Sequence, residues 1–209
     1  MPLSQLNFSI QSKFYKKGDY VFRTKYKVIL VLLFLFLLAD TDAAHSSPKP
    51  NQVFQSLIPI LSQQSQVPIL LPANIPDSLS AEKAQIYADI ETATPFEYTV
   101  VLGFDPRCIT NTPCRLGFIS GKVITPITLP LEEEYEYDPS YRTLRSPEPP
   151  GFVFLDGGQI KAYFLPYSCF TICSDSSLAW DYKGYRYAIS IRSATKKDLV
   201  DMANSMFKS

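Results

Sequence analysis

Phe96, Tyr98, Val100, Leu102 and Phe104 alternate with Glu97, Thr99, Val101 and Gly103. A period of two sends successive side chains to opposite faces of an extended chain. Such a segment is stable only as a strand with one face against a core, so it commits the chain to a sheet. Related patterns predict strands at 86–91, 115–121, 151–156, 159–165, 177–182 and 185–192. In the last of these, Tyr185, Tyr187, Ile189 and Ile191 face the core, and Arg186, Ala188, Ser190 and Arg192 face away. Asp156-Gly157-Gly158 and Lys183-Gly184 supply the positive-φ residues of tight hairpins. Thr195-Lys-Lys-Asp198 is a capping-box variant ahead of Leu199, Met202, Ala203 and Met206 at helical spacing. The expected fold is α+β: an antiparallel sheet of about six or seven strands with a C-terminal helix packed on one face.

Upstream of the sheet the pattern breaks down. Residues 45–76 read as a Pro-rich linker and extended segment, because Pro59, Pro68, Pro72 and Pro76 disfavour helix. Val67-Pro-Ile-Leu-Leu-Pro72 is expected to lie extended along a core edge, and Asp77 to Lys83 to open a short helix. Within the domain at 77–209, residues 123–150 form an insert rich in Pro, Glu and Tyr. That composition predicts a mobile surface loop.

Hydrophobic residues make up 46% of the 209 and charged ones 19%, which excludes a disordered chain. Formal net charge is zero, with no basic excess to clasp phosphates, so nucleic acid is not an expected partner. The zero is a sum of unlike parts. Lys13, Lys16, Lys17, Arg23, Lys25 and Lys27 precede the apolar run Val28 to Ala39, and small residues follow it. Basic, apolar and small segments in that order describe a secretory signal peptide over 1–44, cut after Ala43 or Ala44. Retention of the same segment as an uncleaved membrane anchor is the alternative. Residues 1–44 hold 6 basic and 3 acidic side chains, leaving 14 and 17 for the mildly acidic remainder.

Four cysteines follow: Cys108, Cys114, Cys169 and Cys173. In an exported chain an even count implies two disulfides. If the strands simply alternate direction, the two cysteine loops lie at opposite ends of the sheet. The bridges are then local, because bonded cysteines need Cα atoms within about 7 Å. An extra strand in the insert would reverse that parity and allow cross-pairing. A four-cysteine zinc site fits less well, since C-x5-C and C-x3-C lack the usual knuckle spacing.

Few residues suggest chemistry. The single histidine, His45, lies beside the cleavage point, which weighs against His-dependent catalysis and most metal centres. Ser80-Ala-Glu-Lys83 and Ser193-Ala-Thr-Lys196 match a nucleophile-and-base spacing, but both fall at apparent helix starts where serine caps backbone N–H groups. No catalytic residue, metal or cofactor is assigned. Glu133, Glu134, Tyr135, Glu136 and Tyr137 form an acidic, aromatic centre of the insert that could receive a basic partner. Trp180 and Tyr182 could offer a stacking platform to a ligand, although hairpin packing is the commoner use of such residues.

Trp180-Asp-Tyr-Lys-Gly-Tyr-Arg-Tyr187, followed by Lys197 to Met206, resembles the closing motif of uncharacterised exported bacterial proteins, many of them cyanobacterial. The cysteine loops C-I-T-N-T-P-C-R-L-G and C-F-T-I-C are similar to that group as well. A more distant likeness is to half-barrels of the periplasmic lipoprotein-carrier and envelope-stress-sensor type. It implies a curved sheet with a helix on its concave side and carries over no site residue. The resemblance covers about residues 96–121 and 151–207; the Glu/Tyr insert departs from it.

The expectation is therefore an exported, non-enzymatic module that binds a protein partner or apolar ligand at the bacterial cell envelope, periplasmic or extracellular. Its alternatives are a secreted hydrolase or transferase with a Ser/Lys or carboxylate site, and a membrane-anchored structural component.

Overall fold

Seven strands build one open antiparallel sheet: β1 Tyr87–Thr94, β2 Glu97–Gly103, β3 Arg115–Val123, β4 Gly151–Leu155, β5 Ile160–Leu165, β6 Ser176–Tyr182 and β7 Tyr185–Ile191. The computed structural model describes residues 49–79, 85–109, 114–135, 147–169 and 173–207, with the side chains at 108 and 109 outside that description. All of them belong to the unit Ser46–Ser209. The segment 1–48, with its expected signal or anchor, lies outside the described residues.

Strand order is β1-β2-β3-β7-β6-β5-β4, two meanders joined where β3 pairs with β7. Both hairpins marked by glycine in the sequence are present. Lys183 and Gly184 take φ of 51° and 85° between Tyr182 and Tyr185, as a two-residue turn matching the strand twist requires.

One face of the sheet carries Tyr98, Val100, Leu102, Ile119, Phe164, Leu178, Trp180, Tyr187, Ile189 and Ile191, all buried in a single cluster. Two segments cover it. From the C-terminal side comes the helix Lys196–Asn204, which places Leu199, Met202 and Ala203 against the sheet. Its capping box forms as the sequence predicts, Thr195 accepting from the Asp198 N–H while the Asp198 carboxylate accepts from the Thr195 N–H. Thr195→Ala is expected to cost about 1 kcal/mol, read as a lower urea midpoint with an unchanged slope.

From the N-terminal side comes a helix that the proline spacing argued against. Ile58–Gln64 is α-helical with Pro59 in its first turn, where the missing N–H would have had no partner. Phe54, Leu57 and Leu61 were the available signal, falling on one helical stripe into the core. In chain order this helix is α1, Leu131–Glu134 is α2 and the C-terminal helix is α3. After α1 the chain runs irregularly across the core with Val67 and Leu71 buried. Its prolines cannot donate to a ladder, and two tyrosines substitute for one. The Tyr98 hydroxyl accepts from the Leu70 N–H at 3.1 Å and donates to the Leu70 carbonyl at 3.0 Å. The Tyr187 hydroxyl donates to the Pro68 carbonyl at 3.1 Å. Burial pushes both phenols well above their ordinary range.

Gly121 makes room for these rings: a Cβ there would lie 2.6 Å from Tyr98 Cε1. Tyr98→Phe would take the hydroxyl from the half-buried Leu70 N–H and C=O, which can partly recover water, at about 1–2 kcal/mol in all. Thermal unfolding should show that loss, with the sheet's circular dichroism otherwise unchanged.

Phe96 does not continue the strand pattern. It sits in the β1–β2 turn after Pro95, beyond the last strand pair, and is exposed. Asp77–Leu79 is a short 3-10 turn, and Ser80 and Lys83 lie outside the described residues.

Candidate functional site

Alternation turns Arg186, Ala188 and Ser190 of β7 away from the core, yet all three are buried on the opposite face of the sheet. The insert covers Arg186 and Ala188. Since β3 and β4 are both antiparallel to partners that fix them in the same direction, the segment between them must recross the length of the sheet. On the way, α2 docks Leu131 on Ala179 and Ala188, with Tyr135 and Tyr163 packed alongside. The described part of the insert is thus a packed element rather than the mobile loop its composition predicted.

An ion-pair network holds it there. Arg186, 3% exposed, forms a two-bond pair with Asp181, Nε to Oδ1 at 2.7 Å and Nη2 to Oδ2 at 2.9 Å. Its Nη1 donates to the Leu129 carbonyl at 2.7 Å and to Glu134. Glu134 also receives the Lys122 ammonium at 2.6 Å. Partial burial raises the Glu134 pKa, but the Lys122 and Arg186 bonds and charges outweigh it and hold the carboxyl below its usual range. Burial and the Glu134 charge push the Tyr135 phenol up to about 12.

Beside this network opens a groove of about 410 Å³. Its floor includes Lys122, Val123 and Glu134, and its rim sets three large apolar side chains among Glu97, Thr125 and Thr128: Phe96 from the β1–β2 turn, Ile127 and Leu129 from the start of the insert. These three are 68%, 88% and 52% exposed, although large apolar side chains gain by leaving water. A second hollow of about 400 Å³ lies near the other side of the network, between Leu131, Lys161, Asp181 and Tyr182.

The residues singled out in the sequence are placed differently from one another. Glu134 and Tyr135 hold the insert to its own sheet, Glu134 through Arg186 and Lys122 and Tyr135 through its packing beside Leu131. Glu133 is exposed; Glu136 and Tyr137 lie outside the described residues. Trp180 is fully buried, stacked on Tyr187 with centroids 6.0 Å apart and met edge-on by Phe207, so it offers no open platform. Tyr182 is half-buried and also edge-on to Phe207 at 5.5 Å. Ser193 is not a helix cap: it sits in an exposed left-handed turn, φ 54°, and Thr195 caps instead. Lys196 directs its ammonium toward the Phe164 ring, 5.0 Å from the centroid. Among the described residues no group of three or more His, Cys, Asp or Glu side chains could hold a metal ion.

Cys169 and Cys173 are bonded to one another. Cys114 is disulfide-bonded as well, and the Cys108 side chain lies outside the description. The parity argument behind local pairing does not survive. Ile191 pairs with both Gly117 and Ser176, so the loops before β3 and before β6 lie at the same end of the sheet. Arg115 and Asp175 join them, Nη2 to Oδ2 at 3.8 Å. The insert reversed the parity by recrossing the sheet, with no extra strand among the described residues, and Cys169 still pairs with its near neighbour.

Arg186, Phe96, Ile127 and Leu129 were missed as site residues. The available signal was Pro126-Ile-Thr-Leu-Pro130, two large apolar residues between prolines in a segment otherwise polar enough to be solvated. Comparison with family models, with curated proteins and with solved structures finds no match for the chain.

Proposed function

We propose that this chain is an exported, non-enzymatic interaction module of the bacterial cell envelope that seats an apolar side chain of a protein partner in the Phe96–Ile127–Leu129 groove. The observation that carries the reading is the exposure of three large apolar residues around one concavity. Burying each would contribute about 1.5–3 kcal/mol, enough together for a specific contact. The core face supports a surface site over an internal one, because α1, the extended segment and α3 pack the chain's own side chains onto it. Export is supported by the basic, apolar and small-residue order of segment 1–44 and by the Cys169–Cys173 bridge, which suits an oxidising compartment.

The test is photocrosslinking of the full chain in its host cells, with a benzophenone side chain in place of Ile127 and, as control, in place of the exposed Lys197. The reading requires an adduct of discrete mass at 127, none at 197, and its loss when Leu129→Glu charges the rim. No adduct at 127, or the same adduct at both positions, overturns it.

A further inference from the structure

The two edges of the sheet are built differently. β1, at one edge, carries Asp89 and Glu91 and is broken by a bulge between Ile90 and Thr92, devices that blunt an edge against pairing. β4, at the other edge, reads Gly-Phe-Val-Phe-Leu, with no charge, no proline and no bulge in its register. Among the described residues its only backbone partner is β5, so its outer row of N–H and C=O groups faces away from the sheet. Phe152 and Phe154 project on the face away from the core, 40% and 63% exposed.

β4 is also held in place at both ends. Glu148, just before it, accepts from the Lys196 N–H at 2.6 Å, and Asp156, just after it, donates its N–H to Asn204 Oδ1 at 2.9 Å. Both anchors are on or beside α3, so the strand is ordered before any partner arrives, which lowers the entropy lost on pairing. Lys161 Nζ caps the Phe152 ring 3.5 Å from its centroid.

We propose that β4 is a pairing edge for a second copy of this chain, joined antiparallel across a two-fold axis through Val153. The argument for a second copy is the symmetry of Phe-Val-Phe. Reversed about Val153, the strand presents the same face, so Phe152 of each copy falls directly opposite the second copy's Phe154. Two aromatic cross-strand pairs result, each with a Lys161 ammonium over its Phe152 ring. A two-fold contact needs such self-complementarity. One five-residue strand is small against ordinary stable interfaces, so the dimer is a weak, transient one.

The register makes the test specific. Directly opposed residues have Cβ atoms about 4.5–5.5 Å apart, close enough for a bridge after a small adjustment. The full-length Val153→Cys chain, oxidised with copper phenanthroline, should run at twice the monomer mass on a non-reducing gel. Glu91→Cys, on the bulged edge, should stay monomeric, and adding Phe154→Lys to Val153→Cys should cut the dimer at least ten-fold. The double variant Phe152→Cys/Phe154→Cys, whose changes lie on the exposed face, should also crosslink, with either single change doing so far less. That arm decides the matter if Val153→Cys fails to fold, as judged by Trp180 fluorescence. Monomer from the folded cysteine variants, crosslinking no greater than at 91, or an adduct of any other mass overturns the proposal.

Discussion

Gly117→Ala should remove most of the stability of this protein. A Cβ at 117 would lie 2.1 Å from the Ser190 carbonyl oxygen and 2.8 Å from the Ile191 Cα. Both obstacles are backbone of β7, the strand that joins the two meanders. Neither can swing aside as a side chain can, so β3 and β7 would have to part at the centre of the sheet. We expect a loss of about 3–5 kcal/mol, the severe end for one substitution and a large share of an ordinary domain's 5–15 kcal/mol. Trp180, the chain's single tryptophan, is fully buried and reports the transition by its fluorescence in urea. Gly121→Ala should fall in between, because its obstacles are the rings of Tyr98 and Tyr187. Gly157→Ala should cost about 1 kcal/mol, since only its φ of 64° opposes a side chain and nothing lies within 4 Å. If Gly117→Ala unfolds no more easily than Gly157→Ala, the close approach of β3 to β7 is wrong.

Arg186→Ala is the second large effect expected. It would leave Asp181 without its two-bond partner, the Leu129 carbonyl without a donor, and Glu134 with Lys122 alone. Breaking a fully buried pair costs about 3–5 kcal/mol; with Asp181 41% exposed and able to recover water, we expect about 2–3 kcal/mol. The loss should fall first on the insert, read as faster amide exchange at 129–135 than in the strands. The same network sets a pH dependence. The Glu134 carboxyl titrates below its unfolded value, so its contribution is fully present above about pH 4.3 and is lost as pH falls through the folded pKa. Acid should therefore weaken the wild type more than Glu134→Gln. Equal acid sensitivity of the two would remove Glu134 from the latch.

The strands and the C-terminal helix were legible because their information is local. Alternation marks which side chains share a face, Lys183-Gly184 and Asp156-Gly157-Gly158 mark where the chain reverses, and Thr195 with Asp198 marks where helix begins. α1 differs from the expectation for a local reason as well: proline disfavours helix interiors, but Pro59 falls in a first turn, where it does no harm. The insert departs from its expected mobility for a reason that is not local. Its acidic, proline-rich composition describes a solvated loop, and only the sheet behind it shows Arg186 and Lys122 waiting for Glu134.

The candidate groove belongs to that second kind. Phe96 precedes Ile127 and Leu129 by about thirty positions, and no periodicity connects it to them. By itself the amino-acid sequence determined an antiparallel sheet with a capped helix, since strand, turn and cap preferences act between residues a few positions apart. Only the tertiary structure decided that the insert recrosses the sheet, that both cysteine loops share one end, and which apolar residues stay in water. Those outcomes depend on the direction of strands distant in sequence and on charges that meet only once the chain has folded.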